Sequence, residues 1–182
     1  MHRRTLLGLP AALALGVAAA DGPSYRVSLG QIEDALAQRF PLRWPVAGLF
    51  DIDVALPRLR PLPQLNRLGS ELPVQLAGPA LRRRYEGTLG LDFGLRYEAA
   101  DRSVRAHALR VQSLQVPGLD GQAAALLQRA ATDLAEQALL EVVLHRLQPR
   151  DLALTDAMGL EPGDITVTPT GLAIAFVAKR AS

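Results

Sequence analysis

The most regular hydrophobic pattern of the chain lies between residues 85 and 98. Apolar side chains occupy alternate positions there: Tyr85, Leu89, Leu91, Phe93, Leu95 and Tyr97. A period of two predicts a β-strand with one buried face. Three glycines, Gly87, Gly90 and Gly94, interrupt the strand. Because a glycine inside a strand marks a bulge, a bend or a close backbone approach, the pattern predicts a curved sheet.

Shorter segments with the same period predict further strands, at residues 24–27, 50–56 and 72–76 and from Val104 onward. The phase of the last strand slips by one residue near Ala108, which predicts a β-bulge. A C-terminal hairpin is predicted from two short strands, residues 165–167 and 172–177. The proline-rich segment 58–70 is predicted to be a loop or an irregular edge.

Two segments have helical spacing. The first covers residues 29–39, opens with a Ser28-x-x-Gln31 capping box and is ended by Pro41. The second covers residues 119–147, which corresponds to about 40 Å at 1.5 Å per residue. Its later part, residues 138–144, is apolar on nearly every side, which predicts a helix that is covered all round.

Together these elements predict an α+β fold in which a strongly curved antiparallel sheet wraps around one long helix, with a short N-terminal helix beside it. A flat α+β sandwich, with the glycines as ordinary bulges, is the alternative. The pattern contains no internal repeat and no flexible linker, so residues 21–182 are predicted to form a single domain.

The first twenty residues have the composition of a secretory signal peptide. Arg3 and Arg4 precede an apolar run, and small residues lead to a predicted cleavage site after Ala20. The arginine pair also resembles a twin-arginine export signal. An uncleaved anchor is the other alternative, although Pro10 interrupts the run and the run is short for a membrane span.

Charge and cysteine content limit the function classes. The chain has 20 Lys+Arg and 18 Asp+Glu, and removal of Arg3 and Arg4 leaves 18 of each. A neutral domain lacks the basic surface that nucleic-acid binding requires. The chain has no cysteine, so it has neither a disulfide framework nor the acylated cysteine of a lipoprotein.

Two short motifs and the order of the elements resemble a known family. Residues 25–36 read YRVSLGQIEDAL and residues 160–167 read LEPGDITV, followed by Gly171 and Leu172. They are similar to the opening and the close of the YceB-like family of bacterial envelope proteins, and the likeness in element order covers about residues 24–177. The resemblance implies a fold akin to the tubular lipid-binding superfamily, with an apolar groove between sheet and helix. Many relatives carry an acylated cysteine where this chain has Ala20-Asp21, so the resemblance implies a soluble periplasmic protein.

The inward positions of the predicted strands and helix identify a candidate ligand-binding groove. Its residues are Phe50, Ile52, Val54, Leu89, Leu91, Phe93, Leu127, Leu134, Ala138 and Val142. The expected function is a periplasmic binding protein for a lipid or another apolar small molecule, with transient contacts to the membrane or to envelope proteins. The alternative is an envelope scaffold or partner-binding domain with a dry, close-packed core.

Catalytic signals are weak, so no enzymatic activity, cofactor or metal is expected. The domain contains two histidines: His107, and His145 at the end of the predicted long helix, where an imidazole favours the helix dipole. Asp51 and Asp53 share one strand face, as an acid–base or metal-binding pair would. Their alternation with apolar residues is simpler to explain as a solvated strand face.

Overall fold

A computed structural model of the protein describes residues 22–179. The fold is mostly β, with 50% strand and 25% helix. Within these residues, no helix is both long enough and apolar enough to span a membrane. The predicted signal peptide and its cleavage site after Ala20 lie outside the described residues.

Along the described chain the elements are β1 (Ser24–Ser28), α1 (Leu29–Ala37), β2 (Leu42–Val46), β3 (Phe50–Val54), β4 (Arg58–Leu62), a 3-10 turn (Pro63–Leu65), β5 (Arg67–Ala77), β6 (Tyr85–Glu98), β7 (Ser103–Gln115), α2 (Gly121–Leu139), β8 (Val143–Arg146), α3 (Pro149–Ala157), β9 (Leu160–Thr168) and β10 (Gly171–Ala178). The predicted N-terminal helix and C-terminal hairpin are confirmed. The predicted capping box is confirmed too, because Gln31 N donates to Ser28 Oγ at 3.3 Å and Ser28 N donates to Gln31 Oε1 at 2.9 Å.

The larger sheet is antiparallel and has the order β2-β3-β5-β6-β7-β8. The fourth strand, β4, pairs with the first half of β5, while β3 pairs with the second half. The sheet is curled into a half-barrel, and α2 packs against β7 and β2, which lie near opposite ends of the sheet. Its concave face holds the hydrophobic core.

The pairing of β6 with β7 is irregular at two of the glycines of β6, Gly90 and Gly94. The pairing register shifts between Gly90 and Leu91 and again between Asp92 and Gly94. Ala108 lies within the second shift and has φ of 47°, so the predicted bulge at this residue is confirmed. A bulge bends its strand and increases the local twist, which explains how these long strands follow the curl of the half-barrel.

A smaller sheet with the order β1-β10-β9 packs beside the half-barrel. Asn66 connects the two sheets, because its Nδ2 donates to Ile165 O at 2.9 Å and its Oδ1 accepts from Val167 N at 2.7 Å. Gly171 begins β10 at φ of 153°, and a Cβ there would lie 2.1 Å from Val27 O. The close approach of β1 therefore requires glycine at this position.

The predicted long helix over residues 119–147 is wrong. Helix α2 ends at Leu139, and Glu141 turns the chain with φ of 60°. Glu141 N then donates to Ala106 O at 3.0 Å, and Ala106 N donates to Val142 O at 3.2 Å. The chain continues as β8 because the edge of β7 offers unpaired backbone groups. A short apolar run fits a buried helix or a strand equally well, so periodicity alone does not distinguish them.

The predicted fold class is therefore contradicted: the described residues contain three short helices and a curled half-barrel, with no single long helix for a sheet to wrap around. Of the two alternatives predicted for residues 58–70, a loop or an irregular edge, the loop is wrong. Residues 58–70 contain β4 and the start of β5, and Pro61 is tolerated because β4 is paired on one side only. Pro149 begins α3, since proline is favoured in the first turn of a helix.

Candidate functional site

The predicted groove residues all lie in one hydrophobic core, and each is at most 6% exposed. Strand β3 contributes Phe50, Ile52 and Val54, and β6 contributes Leu89, Leu91 and Phe93. Helix α2 contributes Leu127, Leu134 and Ala138, and the segment before β8 contributes Val142. The alternation in the strands and the helical spacing therefore correctly predicted which side chains lie in the core. They do not line a single cavity.

A cavity of about 270 Å³ lies between α2 and β2. Leu134 and Ala138 of the predicted set line it from the helix, and Leu42 and Trp44 line it from the strand. Arg39 and Arg43 lie at its rim, together with Gln137. This cavity is lined by predicted groove residues from the helix and by an aromatic side chain on the concave face of the sheet.

A second cavity, of about 200 Å³, borders the N-terminal half of α2. Leu127 lines it, together with Leu114, Val116 and Leu119. A third, of about 380 Å³, lies at the end of β3 and β5 and includes Val54. Phe50, Ile52, Leu89, Phe93 and Val142 line none of these three cavities and belong to the packed core.

Small side chains explain why space remains beside α2. Its buried face includes Ala131, Ala135 and Ala138, which fill less volume than leucine would. Asp120 at its N-cap makes no side-chain hydrogen bond to the helix. The helix is consequently held by packing on its two flanks more than by its own caps, because tertiary packing supplies most helical stability.

Strand β2, which was not predicted, carries the key aromatic side chain. Trp44 lies opposite Ile52 in the β2–β3 pair, so it projects to the same concave face as the predicted β3 residues. It is half-buried beside the cavity. Leu42, Trp44 and Val46 alternate with Arg43 and Pro45, and this short alternation was the signal for a strand that the sequence contained.

Two arginines at the rim have different partners. Arg39 Nη2 donates to Gln137 O at 2.9 Å, which connects the end of α1 to the last turn of α2. Arg43 Nε donates to Asp53 Oδ1 at 2.8 Å, and this hydrogen bond lowers the pKa of Asp53 and raises that of Arg43. Asp51 and Asp53 thus lie on the outer face of the sheet, with Asp53 in an ion pair.

A polar cavity of about 280 Å³ lies on the outer face of β4 to β7. Leu91 is the one predicted groove residue along it. Beside this cavity, Arg67 forms an ion pair with Asp92, and Arg67 Nη2 also donates a hydrogen bond to Ala108 O. Asp92 accepts a further hydrogen bond from Gln112 Nε2. These groups hold the bulge of β7 against β5 and β6. Their hydrogen-bonding capacity is used within the protein, so we assign them a structural role.

His145 lies on β8, so its predicted position at the end of a helix is wrong. Its Nε2 is 3.3 Å from Tyr25 Oη, and the Tyr25 hydroxyl donates to Asp151 Oδ2 at 3.4 Å. Burial lowers the pKa of His145, while burial and the Asp151 charge raise the pKa of Tyr25. This cluster ties β1 to β8 and α3. The other histidine, His107, lies on β7 opposite Gly94.

No protein-family model matches the chain, and no curated protein matches it. Within residues 22–179, no group of three or more histidine, aspartate or glutamate side chains is arranged to hold a metal ion. The geometry of the cavity between α2 and β2 is therefore the main basis for a functional inference.

Proposed function

We propose that the protein binds a single-chain apolar or amphipathic molecule between α2 and β2, without catalysing a reaction on it. The observation that carries this proposal is the cavity of about 270 Å³ lined by Leu42, Trp44, Leu134 and Ala138. Ligand sites typically have volumes of about 300–1,000 Å³, apolar walls and a few polar groups at defined points. The cavity has such walls, and its volume is just below that range.

A small displacement of α2 supplies the remaining volume. Cavities border both the N-terminal and the C-terminal half of the helix, and its buried alanines make fewer contacts than larger side chains would. Moving the C-terminal half of α2 away from β2 enlarges the cavity between them, which neither Leu89 nor Phe93 lines. The ligand in this proposal lies along α2, with its chain against Trp44.

We place this activity in the periplasm. The support is the signal-like pattern of residues 1–20, together with the resemblance to the YceB-like envelope proteins. In that setting the protein carries an apolar molecule through an aqueous compartment and makes transient contacts with the membrane or with envelope proteins.

The exported protein is expected to begin at Asp21. Ala18 and Ala20 satisfy the preference of signal peptidase for small residues before the cleaved bond. Intact-mass measurement of protein isolated from the periplasm checks this. A mass that includes residues 1–20 would contradict the proposed location and favour the anchored alternative.

Ligand uptake is tested by filling the cavity. The wild-type protein is expected to bind the neutral fluorophore N-phenylnaphthylamine, whereas Leu134→Trp should abolish binding because the indole occupies the ligand space. The free energy of unfolding of this variant should change by less than the roughly 1–3 kcal/mol that overpacking costs in a filled core. Fluorescence titration and urea denaturation measure the two quantities.

Leu89→Trp is the matched control, because Leu89 is fully buried among core residues. It should cost at least about 1–3 kcal/mol of stability. If Leu134→Trp is as destabilising as this control and the wild type binds no probe, the carrier proposal fails.

A partner-binding scaffold with a dry core is the second candidate. Two observations favour it. Five of the ten predicted groove residues, Phe50, Ile52, Leu89, Phe93 and Val142, lie in the packed core. Leu154 of α3 and Met158 at its C-cap are one turn apart and are 73% and 61% exposed. Exposed apolar side chains at this spacing are typical of contact surfaces. A stable wild-type protein that binds no N-phenylnaphthylamine in the fluorescence titration would support this alternative.

A further inference from the structure

The rim of the cavity between α2 and β2 carries an unbalanced positive charge. Arg43 has a carboxylate partner, because its Nε lies 2.8 Å from Asp53 Oδ1. Within residues 22–179, no carboxylate lies within ion-pairing distance of Arg39, whose hydrogen-bond partner is the neutral carbonyl of Gln137. Asp53, on the outer face of the sheet, neutralises Arg43, so these three side chains together leave one net positive charge beside the cavity.

The helix dipole does not cancel this charge. Gln137 lies in the last turn of α2, where the carbonyl groups carry a partial negative charge of roughly half an electron. That partial charge attracts the Arg39 guanidinium and orients it across the rim. The full positive charge of the Arg39 guanidinium is larger than this partial negative charge, so the rim still favours an anion over a cation.

The walls behind the rim are apolar. Leu42, Leu134 and Ala138 offer no hydrogen-bonding side chain, and Trp44 presents an aromatic ring that is half-buried. A chain of methylene groups fits such walls, whereas a polar or charged group placed there would lose its hydration without gaining a partner. One end of the ligand must consequently be apolar and the other end anionic.

We infer that the ligand is a fatty acid, with its chain against Trp44 and its carboxylate at the Arg39 guanidinium. This inference rests on the proposed carrier function and specifies its ligand class. Arginine is suited to the task because its planar fork of N–H groups can donate two parallel hydrogen bonds to one carboxylate. The volume of about 270 Å³ favours one acyl chain over the two chains of a phospholipid.

Trp44 is the only tryptophan of the chain and provides a direct reporter. Dibromostearic acid and its methyl ester are titrated below their aggregation limits, at a mildly alkaline pH that ionises the acid, and quenching of Trp44 fluorescence is followed. Both should quench, because they share the bromine-bearing chain. The acid should bind about tenfold more tightly, since only the acid can form charge-assisted hydrogen bonds.

Arg39→Gln should remove this tenfold preference and leave the affinity for the ester unchanged. Arg58→Gln is the control, because Arg58 is exposed on β4 and its loss changes the net charge equally. It should retain the preference. A dibrominated phosphatidylcholine serves as the two-chain comparison and should quench weakly.

Each outcome has a distinct meaning. If acid and ester quench equally, or if Arg58→Gln abolishes the preference as Arg39→Gln does, the carboxylate site at Arg39 is wrong while the carrier function stands. Stronger quenching by the two-chain lipid than by the acid would overturn the single-chain assignment. If no brominated chain quenches Trp44, the proposed function itself fails.

Discussion

Leu144→Asp is expected to destabilise the protein by more than about 4 kcal/mol, which is an exceptional value for a single substitution. Leu144 is fully buried in β8, where a carboxylate would be desolvated without a partner. Its neighbour Val143 is only half-buried, and Val143→Asp should cost about 1 kcal/mol. Urea denaturation of both variants measures the difference.

This pair of variants distinguishes a strand from a helix that is covered on all sides. In a strand, adjacent side chains point to opposite faces, so the two costs must differ strongly. A covered helix would bury both positions, and both variants would then be severely destabilised. Equal and large losses of stability would therefore contradict β8 and restore the long helix.

Asp92→Leu is expected to lower the free energy of unfolding by about 3–5 kcal/mol, because it leaves the Arg67 guanidinium buried without its carboxylate. The side chains of Arg67 and Asp92 are only 10% and 7% exposed. Arg67→Met combined with Asp92→Leu should recover most of the loss, since no unpaired charge then remains in the interior.

The control is Asp53→Leu, which removes the partner of the exposed Arg43. Their side chains are 36% and 69% exposed, and an exposed pair contributes about 0.2–1 kcal/mol. A double-mutant cycle measured by chemical denaturation gives the coupling between Arg67 and Asp92. If Asp92→Leu costs no more than Asp53→Leu, the pair does not clamp the bulge at Ala108.

Much of the core was predictable, whereas the arrangement of the candidate site was not. Alternation placed Phe93 and Ile52 on the concave face, and helical spacing placed Leu134 toward them. The cavity depends on the distance between α2 and β2, which are separated by roughly 75 residues of chain between Val46 and Gly121. No local pattern specifies that distance, so the meeting of Trp44 with Leu134 had to come from the structure.

Arg39 shows the same difference between what the sequence predicts and what only the structure reveals. In the sequence it is the last residue of the predicted helix 29–39 and has no distinguishing neighbour. Its contact with Gln137 O joins residues 98 positions apart and gives it a place at the rim of the cavity. A long-range contact of this kind depends on the curl of the sheet and on the packing of α2 near both of its ends.

Short-range signals determined several elements without help from the rest of the chain. The Ser28–Gln31 capping box began α1, and the phase slip at Ala108 located the bulge, because both features depend on residues close in sequence. Residues 138–146 lacked such a signal, since an apolar run suits a buried helix as well as a strand. The tertiary structure decided between them: Ala106, at the edge of β7, hydrogen-bonds Glu141 and Val142, and the chain leaves α2 to become β8.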